Sequence, residues 1–155
     1  MTNEIKVVKR DGESTPLDLD KVHKMVEHAC DGIAGVAESA VEMNANLQFF
    51  DGIRTADIQE ILIRSANDLI SLENPNYQFV AARLLLFSLR KAVYNGHPDG
   101  HPPLKEHVDT CCKKGVYDSE IINKFTDEEW DKLNSFIDHD RDYLFTYAGI
   151  RQVAD

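Results

Sequence analysis

Cysteines are few in this 155-residue chain, and their arrangement excludes several kinds of site. The three cysteines, Cys30, Cys111 and Cys112, contain no Cys-x2-Cys pair, so no zinc ribbon is expected. Their odd number, together with an N-terminus that has no apolar leader, predicts a reduced, cytoplasmic protein. No apolar run approaches about 18 residues, so the sequence predicts no membrane span.

A basic surface is also lacking, because the net charge is −10. This charge argues against partners such as nucleic acid or an anionic membrane, which need a basic face. The phosphate-binding pattern GxxxxGK[ST] and the pattern GxGxxG are both absent. A catalytic site within the chain is therefore not expected, and any phosphate ligand would need a local cluster of cations.

The hydrophobic fraction of 43% is enough for a packed core, and its spacing predicts a mostly helical α+β fold. A short strand is predicted over 5–9, and Asp11-Gly12 is a strong hairpin turn pattern. A second strand returns through Pro16, which has no N–H to donate and so predicts an edge position. A third brief strand is expected near Ile53.

Four helices are predicted in the first part of the chain from apolar spacing and capping residues. Asp18, Thr55 and Asn74 are the predicted N-caps of three of them, with Pro75 at the first helical position of the last. The last helix is apolar on nearly all sides around 80–86, which predicts the central helix of a bundle. The side chains of 47–50 are predicted to complete the apolar side of the second helix. The predicted helices span 19–31, 38–49, 56–71 and 75–94.

A Gly/Pro-rich linker over 96–103 divides the predicted domain 1–95 from a helical segment, 104–155. In that segment one helix is expected to stop at Gly115, and a short one to follow Asp118. A third is expected to begin at Thr126 with capping-box spacing to Glu129. The stretch DHDRD at 138–142 is interpreted as a charged, solvated helix junction.

Histidines and cysteines near the linker are candidates for a metal site or a nucleophile. His97 and His101 have a possible ligand spacing, but a Gly/Pro linker predicts solvated imidazoles rather than zinc ligands. Cys111 and Cys112 are adjacent, which makes them a poor chelating pair, and their helix is expected to offer no Cys–His context. Cys30 is predicted to be a buried core residue.

Lys9 and Arg10 end the first strand beside a tight turn, and two interpretations of them stand. Charges at a strand end keep an edge soluble. Alternatively, the pair and a second basic pair, Arg90-Lys91, converge on a triphosphate, with Thr55 at a helix start offering a hydroxyl and N–H groups. Apolar residues would supply a slot for the base; these are Val7, Leu17, Val22 and Ile58. Asp18 would accept a hydrogen bond from the exocyclic amine of a base, which favours adenine. Lys21 lies in the N-terminal turn of the helix that Asp18 caps.

Long stretches of the sequence resemble a known family. The segments VVKRDG, LDKVHKMV, DGIRTADIQEILIRSANDLIS and PNYQFVAARLLLFSLRK resemble the ATP-cone domain of class I ribonucleotide reductase large subunits. HVDTCCKKGVYDSEII and FIDHDRDYLFTYAGIRQ are similar to the start of the catalytic region that follows the cone in those subunits. The resemblance implies a small three-stranded β cap on a four-helix bundle, followed by a helical segment.

The resemblance also implies an allosteric activity site for ATP, with dATP as a second effector and Mg²⁺ accompanying the nucleotide. Lys9 matches the family's triphosphate-binding lysine, and Arg10 its neighbour. Residues 15–21 align with the segment that cradles base and ribose, while Thr55 and Lys91 match two further contacts. The full set of nucleotide-binding residues expected in this chain is Val7, Lys9, Arg10, Thr15, Leu17, Asp18, Lys21, Val22, Thr55, Ile58, Gln59 and Lys91.

Two positions depart from the family pattern. Gln59 stands where members that respond to dATP often have His, and Gln cannot carry a positive charge. Thr15 replaces a common acidic residue. Both leave nucleotide binding in place and leave inhibition by dATP open. A structural module with a degenerate cone that no longer binds nucleotide is the alternative.

The catalytic barrel of the family and its redox cysteines have no counterpart in these 155 residues. The chain is therefore expected to be non-catalytic alone. The implied partners are the remainder of a large subunit, from the same gene or a second polypeptide, a radical-generating small subunit, and further copies of the large subunit. A free nucleotide-responsive repressor is disfavoured, because the zinc ribbon and basic face that such proteins carry are absent.

Overall fold

The structure, a computed structural model, describes residues 5–97 and 100–155. Its contacts fall into two compact units, one made of residues up to 88 together with 143–155, the other of residues 89–142. The division at a linker over 96–103 stays a prediction. Residues 98 and 99 of this linker lie outside the described residues, as do residues 1–4.

The first unit contains a three-stranded sheet in the order β2-β1-β3, with β1 Lys6–Val8, β2 Ser14–Pro16 and β3 Ile53–Arg54. β1 and β2 form the predicted antiparallel hairpin, in which Gly12 has a φ of 86° that a Cβ would disfavour. β2 is an edge strand, as its proline predicts. The third strand is confirmed, and it pairs with β1 in parallel.

Four helices accompany the sheet: α1 Leu19–Cys30, α2 Glu38–Asn46, α3 Thr55–Asp68 and α4 Tyr77–Val93. α2 lies beside both α1 and α3. The fully buried side chains include Val26, Leu62, Ile63 and Leu84, one or two from each of three helices. The predicted α+β class, a small sheet on a four-helix bundle, is confirmed.

Both ends of α1 are fixed by side chains. Asp18 has an extended backbone and its Oδ1 accepts from the Lys21 N–H at 3.2 Å, so it is the predicted N-cap. At the other end, Arg83 of α4 donates from Nη1 to the Asp31 carbonyl at 2.6 Å. The Arg83 guanidinium also lies 5.0 Å from the ring centre of Tyr143, a cation–π contact within the first unit.

Four predicted element ends are wrong, and one of them is the end of α3, which stops at Asp68 rather than at residue 71. α2 stops at Asn46 and Leu47 is 84% exposed, because the chain turns there through i→i+3 bonds and carries the side chains of 47–50 away from the helix face. α4 begins at Tyr77, since Pro75 lies in a preceding turn. Thr55 is the first residue of α3 rather than its cap, because β3 runs directly into the helix and Arg54 occupies the capping position.

The second unit contains the last turn of α4, α5 Leu104–Lys113, a 3₁₀ helix Ser119–Asn123 and α6 Asp127–Ser135. The capping box of Thr126 and Glu129 is present in full. Trp130 of α6 is buried, with its ring centre 5.2 Å from that of Phe125. A second 3₁₀ helix, His139–Leu144, leads to α7 Tyr147–Ala154, which belongs to the first unit and was not predicted.

Substituting Leu62→Ala tests the core of the first unit, because this side chain is 0% exposed. The loss of buried methyl groups and the cavity left behind lower the free energy of unfolding by about 2–5 kcal/mol. Leu72→Ala is the matched control, since Leu72 is 98% exposed and the same change there stays within about 0.5 kcal/mol. Urea unfolding followed by circular dichroism gives both values, and equal effects would contradict this assignment of the core.

Candidate functional site

The parallel pairing of β1 with β3 brings two distant parts of the chain to one edge of the sheet. Val7 pairs with Ile53 and Val8 with Arg54, so the strands end side by side. Lys9 follows the first strand and Thr55 follows the second. Ligands commonly bind outside the carboxyl ends of parallel strands, and N-termini of helices favour negative charge, so the place where β1 and β3 end is the candidate site.

The helix that starts at this edge presents backbone N–H groups. Arg54 is in extended conformation, with φ −81° and ψ 148°, and among the described residues α3 has no N-cap side-chain hydrogen bond. Asp57, in the first turn, is instead held by the Arg54 guanidinium through two hydrogen bonds of 2.8 Å. The hydrogen bond from Arg54 lowers the pKa of Asp57. The first turn therefore already holds one carboxylate beside its N–H groups.

Lys9 is fixed by the hairpin that it begins. Its backbone N–H donates to the Glu13 carbonyl at 2.8 Å, and its Nζ lies 2.7 Å from Glu13 Oε2. The hydrogen bond to Glu13 raises the pKa of Lys9, with smaller contributions of the same sign from the charges of Glu13 and Asp11. Arg10 is exposed at the turn. The predicted pair of cations thus lies where β1 ends beside β3, and the lysine is paired with an acid of its own hairpin.

A second group of predicted residues lies at the other end of the strands. Pro16 pairs with Lys6, and the Leu17 N–H donates to the Ile5 carbonyl at 2.8 Å. Asp18 follows and caps α1, with its Oδ2 at 3.4 Å from Lys21 Nζ. A strand rises about 3.3 Å per residue, so roughly 10 Å of β2 separates this group from the Lys9 end.

The apolar residues predicted to hold a base differ in their exposure. Leu17 is half-buried, whereas Val7, Val22 and Ile58 are buried in the core of the first unit. Thr15 is half-buried and pairs with Val7 in the centre of the hairpin. Leu17 and Thr15 are therefore the accessible members of this group in the structure.

Gln59 connects two helices of the bundle. Its Nε2 donates to the Leu84 carbonyl of α4 at 3.0 Å, and the residue is half-buried. It lies one turn after Thr55 on α3. The side-chain amide thus ties the start of α3 to α4, a role that its place in the sequence pattern did not predict.

The second predicted basic pair lies in the last turn of α4, within the second unit. Arg90 is 16% exposed, and its Nη2 donates to Asp142 Oδ2 at 2.9 Å and to the His139 carbonyl at 3.0 Å. The interpretation of 138–142 as a solvated junction agrees with the exposure of Asp138, Asp140 and Arg141 but is wrong for Asp142, which is the ion-pair partner of a largely buried cation. Lys91 is exposed, and its part in a nucleotide site stays a prediction.

The histidines near the predicted linker are packed rather than solvated, which corrects the sequence interpretation. His101 stacks on His139 with ring centres 3.5 Å apart, and His97 Nε2 lies 3.8 Å from a carboxylate oxygen of Glu106. His107 Nε2 lies 3.7 Å from Cys111 Sγ, a Cys–His contact that was not expected. Within residues 5–97 and 100–155, no cluster of three metal-binding side chains is found.

The remaining cysteine, Cys30, agrees with the sequence interpretation. Cys30 is buried, and burial raises the pKa of its thiol to about 11. The thiol is therefore held in its neutral form as a core residue. Across the described part of the chain, no helix combines the length and the apolar character needed to cross a bilayer.

Comparison with known proteins shows the family to which the chain belongs. The family described as the ATP cone domain matches residues 5–92. The chain is 44% identical over 153 residues to the ribonucleoside-diphosphate reductase subunit alpha of Haemophilus influenzae, covering 99% of this chain and 20% of that protein. It is 42% identical, with the same coverage, to the ribonucleoside-diphosphate reductase 1 subunit alpha of Escherichia coli.

A relative from Helicobacter pylori, also a ribonucleoside-diphosphate reductase subunit alpha, is 40% identical over 151 residues, covering 97% of this chain and 18% of that protein. The chain belongs to the ATP-cone family. Beyond the cone, it is similar to the N-terminal region of ribonucleoside-diphosphate reductase alpha subunits. It spans about a fifth of the length of these curated relatives.

The stacked histidine of the second unit predicts a dependence of stability on pH. Burial lowers the pKa of His139, the charges of His101 and Arg90 lower it further, and Asp142 and Asp138 act in the opposite sense. A histidine whose folded pKa is depressed contributes stability above its unfolded pKa of about 6.5. That contribution is lost as the pH falls from there through the folded pKa.

We therefore expect the wild-type chain to lose more unfolding free energy between pH 7.5 and pH 5 than His139→Gln, which has no imidazole to protonate. Urea unfolding at a series of pH values measures the difference. His28→Gln, at an exposed position of α1, is the control and should follow the wild-type curve. Parallel curves for wild type and His139→Gln would contradict the prediction.

Proposed function

We propose that this chain is the effector-binding portion of a ribonucleoside-diphosphate reductase large subunit, with an allosteric activity site for ATP. The single observation that carries the proposal is the register of β1 and β3, which sets Lys9 beside the first turn of α3. A triphosphate at this edge would meet a lysine, an arginine and helix N–H groups together. The similarity of the chain to reductase alpha subunits supports the same conclusion.

The nucleotide is proposed to lie along β2. Its phosphates would contact Lys9, Arg10 and Thr55, with Gln59 one turn beyond Thr55. Its base and ribose would occupy the end formed by Thr15, Leu17, Asp18, Lys21 and Val22, over a floor of Val7 and Ile58. Roughly 10 Å of strand between the two ends suits the distance between a base and its terminal phosphates.

Mg²⁺ is proposed to accompany the triphosphate. This ion is bound through phosphate oxygens and one or two carboxylates rather than by a protein cage. The carboxylate of Asp11 stands in the same hairpin as Lys9, so a residue type present at the phosphate end fits such an ion. When bound, it would neutralise phosphate charge in an acidic chain.

Regulation is proposed to act on the assembly of the whole enzyme, in which this region joins the remainder of the large subunit, a radical-generating small subunit and further copies of the large subunit. The reduction of ribonucleotides to deoxyribonucleotides would take place in that remainder. An effector shifts such an equilibrium only by its differential affinity, and a nearly complete switch needs about 5.5 kcal/mol. ATP and dATP differ by one hydroxyl, worth about 1–3 kcal/mol, so several sites would have to act together, or the number or pose of the bound nucleotides would have to change.

A second candidate is a structural module with a degenerate cone. It is favoured by Gln59, whose amide donates to the Leu84 carbonyl and which cannot become a cation. Such a module would keep the fold and pair with the rest of a reductase without responding to nucleotide. The two candidates differ in one measurable property, saturable binding of ATP.

Calorimetric titration with ATP, dATP and GTP, in the presence of Mg²⁺, separates the candidates. The effector-site proposal expects saturable binding of the adenine nucleotides and at least a tenfold loss of ATP affinity in Lys9→Ala, because a charge-assisted hydrogen bond to phosphate disappears. Lys6→Ala is the matched control. It lies on the same strand, at an exposed position whose side chain alternates to the opposite face from Val7.

Lys6→Ala should bind ATP as the wild-type chain does. If a folded wild-type chain binds none of the three nucleotides, the structural-module candidate is supported instead. If Lys9→Ala and Lys6→Ala weaken binding equally, the nucleotide does not use the proposed edge.

A further inference from the structure

The lysine proposed to bind phosphate already has an anionic partner in the same hairpin. Glu13 Oε2 lies 2.7 Å from Lys9 Nζ, a distance typical of a charge-assisted hydrogen bond. Both side chains are substantially exposed, at 45% and 59%. An incoming phosphate can therefore reach the pair from solvent, but it meets a carboxylate where it would bind.

The hairpin holds Glu13 in this position. The backbone N–H of Lys9 donates to the Glu13 carbonyl, the Gly12 N–H donates to the Lys9 carbonyl at 3.0 Å, and the Glu13 N–H donates to Asp11 Oδ1 at 2.9 Å. Lys9 and Glu13 are four positions apart, and these hydrogen bonds hold their backbones on facing sides of the turn. A partner tethered so closely acts at a high effective concentration, which a free ligand has to overcome.

We propose that Glu13 is a built-in competitor for the effector phosphate, and that it sets the nucleotide concentration at which the site fills. The proposal rests on the proposed function, since it concerns the same lysine. Binding of a phosphate replaces the carboxylate on Lys9 Nζ and leaves Glu13 as an unpaired negative charge near the ligand. Both effects weaken binding, so removing the charge of Glu13 strengthens it.

Glu13→Gln tests this directly, because glutamine keeps the size of the side chain and the backbone bonds of the hairpin while it removes the negative charge. Calorimetric titration in about 0.15 M salt compares wild type and variant. We expect ATP to bind about two- to fivefold more tightly to Glu13→Gln, which corresponds to the upper part of the range for an exposed ion pair. Inorganic tripolyphosphate, which has neither base nor ribose, should show the same direction of change.

Glu73→Gln is the matched control, because it removes one negative charge from an exposed position in the loop between α3 and α4. It should leave ATP affinity unchanged. An equal gain in Glu73→Gln would show a general charge effect and overturn the proposal. Circular dichroism of each variant confirms that the fold is retained.

The remaining outcomes distinguish this inference from the proposed function. If ATP binds, Lys9→Ala weakens it and Glu13→Gln has wild-type affinity, the competitor role is wrong while the site stands. Weaker binding in Glu13→Gln would mean that Glu13 contributes to the bound state, for example as a ligand of Mg²⁺, and would also overturn the inference. If neither wild type nor Glu13→Gln binds ATP or tripolyphosphate, both proposals fail.

Discussion

The parallel pairing of β1 with β3 is the constraint on which the candidate site depends. It consists of two residue pairs, supported by a bond from the Gly52 N–H to the Lys6 carbonyl at 2.9 Å and one from the Lys6 N–H to Asp51 Oδ1 at 2.8 Å. Two helices, α1 and α2, lie between these strands in the sequence. Because their packing closes the loop, the bundle is what brings the hairpin cations to the start of α3.

Electrostatics shape this site as much as topology does. In a chain of net charge −10, several cations are paired with nearby acids, as Lys9 is with Glu13, Arg54 with Asp57 and Arg90 with Asp142. On the proposal made above, a phosphate ligand would bind by exchange with a carboxylate rather than by filling an open cationic pocket. Such an exchange would lower affinity, and a single acidic side chain would set the concentration range of the response.

Features governed by neighbours in sequence were predictable, and those governed by distant contacts were not. The Asp11-Gly12 hairpin, the Asp18 cap and the capping box at Thr126 follow from local backbone preferences. The parallel register, the Arg90–Asp142 ion pair and the Gln59–Leu84 bond join residues far apart, which spacing alone cannot pair. The role proposed for Glu13 could not be predicted for another reason, since it depends on which way an exposed side chain points.

An amide ¹H–¹⁵N titration with ATP tests the central claim most directly, because it reports on both strand ends at once. If the sheet edge is the nucleotide site, the largest shifts should fall together on the hairpin from Lys9 to Glu13, on 15–21 and on the first turn of α3 from Thr55 to Asp57. Shifts confined to 104–155, or to the hairpin without the start of α3, would contradict it. Shifts on both the hairpin and the first turn of α3 would mean that the nucleotide contacts two segments that the β1–β3 register brings together.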